Sequence, residues 1–465
     1  VLFPRSLLCR FFTNKIFSSV GEAVADIKSG ASVMVGGFGV CGSPENLLPA
    51  LAKRCDEVED LNTIVLSCGN DYDLANLLKT GMVKRLTTSF VALSPTINKM
   101  YSEGDLELEL IPQGTIAEKV RAAGAGIPAF YTPAGAGTIY QEGGFPISFE
   151  KDGAIKLFTT PKPTGVFKHH SYVQETALSA DWSLISAKRA DTIGNIQFHG
   201  SAQNLNIDAG KAAKHTIVEV EEIVPVGELD PDHIHLPGLY VERIVCPEHF
   251  NKPIEFMTVD TGKEAQHLPP NRERIARRAA LELKDGMTVN LGVGIPTFTP
   301  SFLPEDVEVN FQAETGFWRV GPFPKPEEID PDVINAGAQI VTGLDGHSFM
   351  SSADGFGMIR GGHVDVTMLG SLQVNKFGDI ANWSVPNEAT KGMGGAMDLV
   401  ASPAKCIVMM EHTDKRGNPK LLEYCNFPLT GKYCVNMVIT DLAVFTISKA
   451  GFTLEEIAEG VTLEE

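Results

Sequence analysis

The sequence predicts an α/β protein with two structurally similar domains, each an open mixed or parallel sheet flanked by helices. Three observations carry this expectation. Strand-like apolar runs such as Thr216–Val220 and Cys406–Met410 alternate with helical stretches along all 465 residues, the mark of layered α/β architecture. A short pattern, K-x-G-x-x-V-x-x-G followed by a further Gly and a Pro, occurs twice, at Lys28–Pro44 and Lys284–Pro296. Finally, the stretch Asp260–Pro270 is polar, lacks apolar periodicity and ends in Pro-Pro, as a solvated linker does.

Each copy of the pattern follows a helical segment, Val20–Ile27 in the first half and Arg272–Leu283 in the second. The expected grammar is helix, Gly turn, buried strand, Gly-rich turn, helix. The first domain is therefore expected over 20–258, the linker over 259–270 and the second domain over 271–465. Residues 1–19 hold Arg5, Arg10 and Lys15, and the first acid is Glu22. An acid-poor, basic, partly apolar lead of this kind predicts a mitochondrial transit peptide and a matrix location.

Composition narrows the function. Hydrophobic residues at 43% and charged residues at 21% describe an ordinary globular chain. A formal charge of −19 argues against nucleic-acid or anionic-membrane partners, and no apolar run approaches the ~20 residues of a membrane helix. None of the eight cysteines forms C-x-x-C, so reduced, mostly buried thiols are expected. His169-His170 and His233-Ile234-His235 lack the context of a metal site, and no metal is expected.

Gly37-Phe38-Gly39-Val40-Cys41-Gly42 is a G-x-G-x-x-G after a strand, with Ser43 placed to cap the next helix and Pro44 in its first turn. The pattern suits a dinucleotide, but the acid expected at the tip of the second strand is missing: Glu57, Glu59 and Asp60 precede Thr63–Leu66. A structural turn or close approach of another ligand stay open beside a nicotinamide role. The sharper feature is Phe311-Gln312-Ala313-Glu314-Thr315-Gly316, which places an acid between an apolar strand and a glycine turn. Strand ends in α/β sheets face ligand crevices. On spacing alone Glu314 is a nucleophile, a general base or a loop cap.

Val35–Asn46, Pro112–Thr115, Gly124–Phe130, Asn290–Pro296, Met358–Val364 and Lys391–Leu399, taken in order, resemble the signatures of 3-oxoacid coenzyme A transferases. The resemblance implies that Glu314 occupies the family's Ser-Glu-Asn-Gly position as nucleophile. It also implies that the Gln113 side chain and the backbone around Gly395 and Ala396 stabilise oxyanions, and that Gly36, Gly37, Phe38 and Gly39 border the acyl pocket with Asn290 nearby. The implied reaction is ping-pong transfer of CoA from succinyl-CoA to acetoacetate, in ketone-body catabolism. The thioester is a substrate and no separate cofactor is needed. Partners are acyl-CoA and small carboxylic acids, and the protein is expected to be a homodimer. Transfer from acetyl-CoA to succinate and non-catalytic CoA binding are the alternatives. Several positions depart from the family: Ala313 and Thr315 flank the glutamate, Phe317-Trp318-Arg319 follow it, Val65-Leu66-Ser67-Cys68-Gly69 replaces an Asn-rich turn, and Ala338 stands where a Lys is common.

Overall fold

The structure, a computed structural model, describes residues 15–260, 268–386 and 388–464. The leader range thus lies outside the described residues up to position 14, as does most of the linker. Residues 15–19 are part of the fold. Phe17 N–H donates to the Ile244 carbonyl at 2.8 Å, and the Ser19 side chain caps helix α1 (Val20–Ala23).

In the first half, β1 (Ser32–Val35) leads through α2 (Leu47–Ala52) to β2 (Leu61–Ile64), β3 (Val83–Thr88) and β4 (Glu107–Leu110). Helix α3 (Gln113–Gly124) follows, and β5 (Ala180–Asp191), β6 (Ala213–Val224) and β7 (Arg243–Val245) complete the sheet. The order is β7-β6-β5-β1-β2-β3-β4, with every pair along it parallel. The chain winds outward from β1 in both directions, so a crevice opens at the C-terminal end of β1. Small antiparallel sheets built from residues 129–176 sit outside this core.

The second half repeats the plan. Helix α4 (Pro270–Ala280) precedes β8 (Thr288–Leu291), β9 (Asn310–Ala313), β10 (Phe317–Val320) and β11 (Gly343–Phe349). Helix α5 (Ser352–Arg360), β12 (Val366–Leu369), α6 (Ala396–Val400), β13 (Lys405–Met409), β14 (Val435–Ile439), β15 (Ala443–Ser448) and β16 (Gly451–Ile457) follow. The order is β11-β10-β9-β8-β12-β13-β14-β15-β16. Five central strands are parallel and the edges antiparallel.

The repeated pattern plays the same part in both halves. Gly30 and Gly286 have φ of +77° and +78°, a left-handed turn that glycine adopts without strain. Their N–H groups donate to Glu59 and Glu308 carbonyls at 2.9 and 2.8 Å. The first strand residues, Ser32 and Thr288, donate N–H to the carboxylates of Asp181 and Asp365. Matching turns, strands and side-chain clamps make the halves structurally similar.

One local expectation fails. Helix α2 begins at Leu47, not at Ser43-Pro44, and Asn46 at its N-cap offers no side-chain bond. The Glu219 carboxylate of β6 takes the Asn46 and Leu47 N–H groups at 3.0 and 2.9 Å instead. Predicted helix Val20–Ile27 likewise keeps only one turn, because residues 24–26 continue as turns and Ile27 is irregular.

Candidate active site

A cleft of about 490 Å³ lies between the halves, lined from the first by Phe38, Gly39, Phe90 and Gln113, and from the second by Glu314, Trp383, Gly395 and Ala396. Its walls are held in register by backbone bonds across the halves. Val91 N–H donates to the Lys391 carbonyl at 2.8 Å, Gly394 N–H to Ser89 at 3.0 Å, and Gln113 N–H to Gly394 at 3.0 Å. Gln113 opens helix α3 and is buried, yet its side-chain amide faces the cleft.

Glu314 stands just after β9, in the two-strand turn that brings β10 back antiparallel to it. Gly316 makes that turn with φ +93°. A β-carbon there would lie 2.1 Å from the Met350 carbonyl oxygen, so no larger residue fits. The glutamate is only 8% exposed. Burial first, and the Asp398 carboxylate second, push its carboxyl up to about 8. Asp398, in the first turn of α6, is wholly buried and raised to about 6 by desolvation. Its Oδ2 accepts the Gly114 N–H at 2.9 Å. Its Oδ1 has no hydrogen-bond partner among the described residues, and Arg360 Nη1 stands off at 3.8 Å. The Asp398 carboxylate therefore favours the protonated form of Glu314.

The ring of Phe356 lies beside both glycines that face the two acids: a β-carbon on Gly395 would meet one edge atom at 3.2 Å, and one on Gly114 would meet the next at 2.6 Å. A β-carbon on Gly114 would also lie 2.5 Å from Asp398 Oδ1, and one on Gly395 would displace the Glu314 side chain. The Ala396 N–H already donates to the Met393 carbonyl at 3.2 Å, so of the expected backbone pair Gly395 is the better placed donor.

Three expected contacts are corrected. Gly36 and Gly37 line a small adjoining hole of about 30 Å³ that shares Gly39, Ser67 and Cys68 with the cleft. A β-carbon on Gly36 would strike the Asn206 amide at 1.8 Å, so that glycine serves packing inside the first half. Asn290 is fully buried in β8 and donates to the Gln312 backbone and side-chain oxygens at 3.2 and 2.9 Å. It braces the strand before Glu314, and its Oδ1 has no hydrogen-bond partner among the described residues. The dinucleotide reading loses its footing too, since Ser67-Cys68-Gly69-Asn70 at the tip of the second strand offers no acid.

The second histidine pair is engaged: His233 with Asp230 at 2.7 Å, and His235 as acceptor of the Phe198 N–H at 3.0 Å. Glu255, Phe256, Trp383 and Lys391 line the cleft without having been singled out from the sequence. Lys391 falls inside a recognised motif, whereas Glu255 lies in an irregular segment with no pattern to mark it. Among the described residues no helix is long and apolar enough to cross a membrane.

Comparison with known proteins adds to this geometry. The family description "Coenzyme A transferase" matches residues 17–247 and 272–465. The human protein named succinyl-CoA:3-ketoacid coenzyme A transferase 2, mitochondrial, is 46% identical over 460 residues, covering 97% of this chain and 88% of its own. A mouse protein of the same name, form 2B, is 45% identical over 473 residues, covering 99% and 91%. In three dimensions the chain is similar to the acyl-CoA transferase YdiF apoenzyme from Escherichia coli O157:H7. The TM-score is 0.78 at 22% identity, over 97% of this chain and 92% of that one.

Proposed function

The chain belongs to the coenzyme A transferase family, and from that premise we propose that it moves CoA from succinyl-CoA to acetoacetate through Glu314. It is a transferase and, like its named mammalian relatives, mitochondrial. The observation that carries the reading is a buried carboxyl, Glu314, that lines an interdomain cleft together with Gln113 and Gly395.

In the first step ionised Glu314 adds to the thioester carbonyl. The C–S bond breaks, CoA leaves as thiolate, and an acyl-glutamyl anhydride remains. The thiolate then attacks the glutamyl carbonyl, the acid departs as carboxylate, and a glutamyl-CoA thioester forms. The second acid runs the same steps in reverse. Electrons balance without a redox partner, so the reading asks for no cofactor beyond the thioester substrate.

Raised basicity strengthens the carboxylate as a nucleophile once its proton is lost. Each addition puts negative charge on a carbonyl oxygen, and the Gln113 amide with the Gly395 N–H supplies donors there. The Gln113 backbone is tied to Gly394, so the two donors are set by one contact. Phe38, Phe90 and Trp383 keep water from intermediates that it would hydrolyse.

A homodimer belongs to the same reading. Its support is the apolar surface of the small outer sheets, where Phe158, Val166 and Phe167 are exposed. Intact mass after mixing with succinyl-CoA, then borohydride reduction and peptide mapping, tests the mechanism. A CoA adduct with the reducible site at Glu314 is expected, and Glu314→Ala should lose transfer by at least about 10⁴-fold. CoA binding without an adduct would sink the proposal.

A further inference from the structure

Glu255 lies in the irregular segment that joins the halves, and its carboxylate is seated in the first half's glycine loops. Asn70 N–H donates to its Oε1 at 2.8 Å, and the backbone N–H of Val40 favours the charged form of the carboxylate. A β-carbon on Gly69 would lie 2.3 Å from Oε1, and one on Gly39 would lie 2.2 Å from Oε2. Each oxygen therefore rests against a residue whose missing side chain makes the room. The two loops are tied to each other by Gly39 N–H donating to Ser67 Oγ at 3.2 Å. They end adjacent parallel strands, β1 and β2.

This is an anion clasp without a cation. Among the described residues no Lys or Arg pairs with Glu255, and burial raises its carboxyl while the backbone donors oppose that rise. Gly39 and Glu255 line the same cleft as Glu314, whereas Val40, Gly69 and Asn70 line the small hole that adjoins it. On the other side of the segment, Phe256 bridges Gln339 and Thr258 Oγ donates to the Ile340 carbonyl at 2.6 Å. The segment stays anchored to the second half when the carboxylate leaves the loops.

Backbone N–H groups that hold one carboxylate will hold another of the same shape. We propose that the Gly39–Gly69 clasp is the seat for the free, unreacted carboxylate of a dicarboxylic acyl group, and that Glu255 is its built-in occupant. This rests on the reading of Glu314 as the acyl acceptor. A dicarboxylate must displace Glu255 to seat its far end, whereas a monocarboxylate leaves Glu255 in place. Glu255 is thereby a specificity-determining residue, weakening dicarboxylates relative to monocarboxylates of equal length.

The test is calorimetric titration of the full chain, without CoA, using succinate and butyrate. These acids share a four-carbon chain and differ by one carboxylate. Glu255→Ala is expected to tighten succinate on the order of ten-fold, the value of about one charge-assisted hydrogen bond, and to leave butyrate within about two-fold. Glu255→Gln, which preserves side-chain size, should shift in the same direction, and it decides the matter if the alanine variant does not fold. Adding Gly69→Ala to either variant puts a methyl group in the seat and should cancel the gain. Equal changes for both acids, no change for succinate, or a gain that survives Gly69→Ala would each overturn the proposal; the last would show simple loss of repulsion. The titration needs no turnover, so a failure of the transferase reading would show separately, as absent exchange of label in the wild-type protein.

Discussion

A β-carbon added to Gly395 would lie 2.3 Å from Oε1 of Glu314 and 2.8 Å from its carboxyl carbon. The backbone of α6 thus closes directly over the reacting carboxylate. Gly395 has φ −81° and ψ −6°, values any residue adopts, so Gly395→Ala meets no backbone obstacle. The added methyl must push Glu314 aside. Steady-state turnover is expected to fall about 100-fold, the scale of a 1 Å displacement at a reacting centre, while Tm changes little. A near-normal kcat would show that Glu314 does not work in this position.

Glu314 and Asp398 interact, so their protons come off in sequence as a pair. With Asp398 ionising near 6 and Glu314 near 8, the attacking carboxylate gains population as pH rises through the upper value. The kcat/KM for acyl-CoA should therefore climb from pH 6.5 and level above about 8. Asp398→Asn removes the second-largest cause of the rise, leaving desolvation. Its profile should level at lower pH without returning to the ordinary carboxylate range. A pH profile identical to wild type would remove Asp398 from any part in setting Glu314.

How much of this was legible in the sequence depended on whether the signal was local. Gly30 and Gly286 could be read because a left-handed turn demands glycine at each, and the strand after each followed. Glu314 could be read because an apolar strand and a glycine turn bracket it. Asn290 was placed near the acyl pocket by the family resemblance alone, and the β8–β9 pairing turns its amide to Gln312. Ser43 misled, because the acid that binds the α2 N–H groups is Glu219, 173 positions from Asn46. Glu255 and Trp383 reach the cleft through tertiary folding alone, and no periodicity announces them.

Lys119 and Glu175 form a buried pair at 2.7 Å, with Lys162 and the Tyr140 hydroxyl on the same carboxylate at 2.9 and 2.6 Å. Removing one partner strands a buried charge. Lys119→Met is expected to lower stability by about 3 kcal/mol, with Lys162 still supplying partial compensation. Adding Glu175→Gln should recover much of that loss, since the stranded charge goes with it. Chemical unfolding of wild type and both variants measures this. A double variant no better than the single one would show that the pair's packing, not its charge, is what matters.

Glu219 gives the fold a pH dependence independent of the catalytic cleft. It is wholly buried, its Oε2 accepts two N–H groups, and its Oε1 has no hydrogen-bond partner among the described residues. Burial pushes its carboxyl up to about 8. The folded state therefore keeps a proton that the unfolded chain releases near its ordinary value of 4.5. Between those values the folded form binds more protons, so this contribution to stability is full below about 4.5 and drains away as pH rises toward 8. The whole span is on the order of 5 kcal/mol. Glu219→Gln preserves an acceptor for the Asn46 and Leu47 N–H groups but cannot ionise. Its Tm relative to wild type should rise steadily from pH 5 to pH 8.5, while Glu314, Asp398 and the other acids contribute equally to both proteins and cancel. A Tm difference that stays flat over that range would mean that Glu219 remains ionised in its site, with its charge carried by the two N–H groups alone.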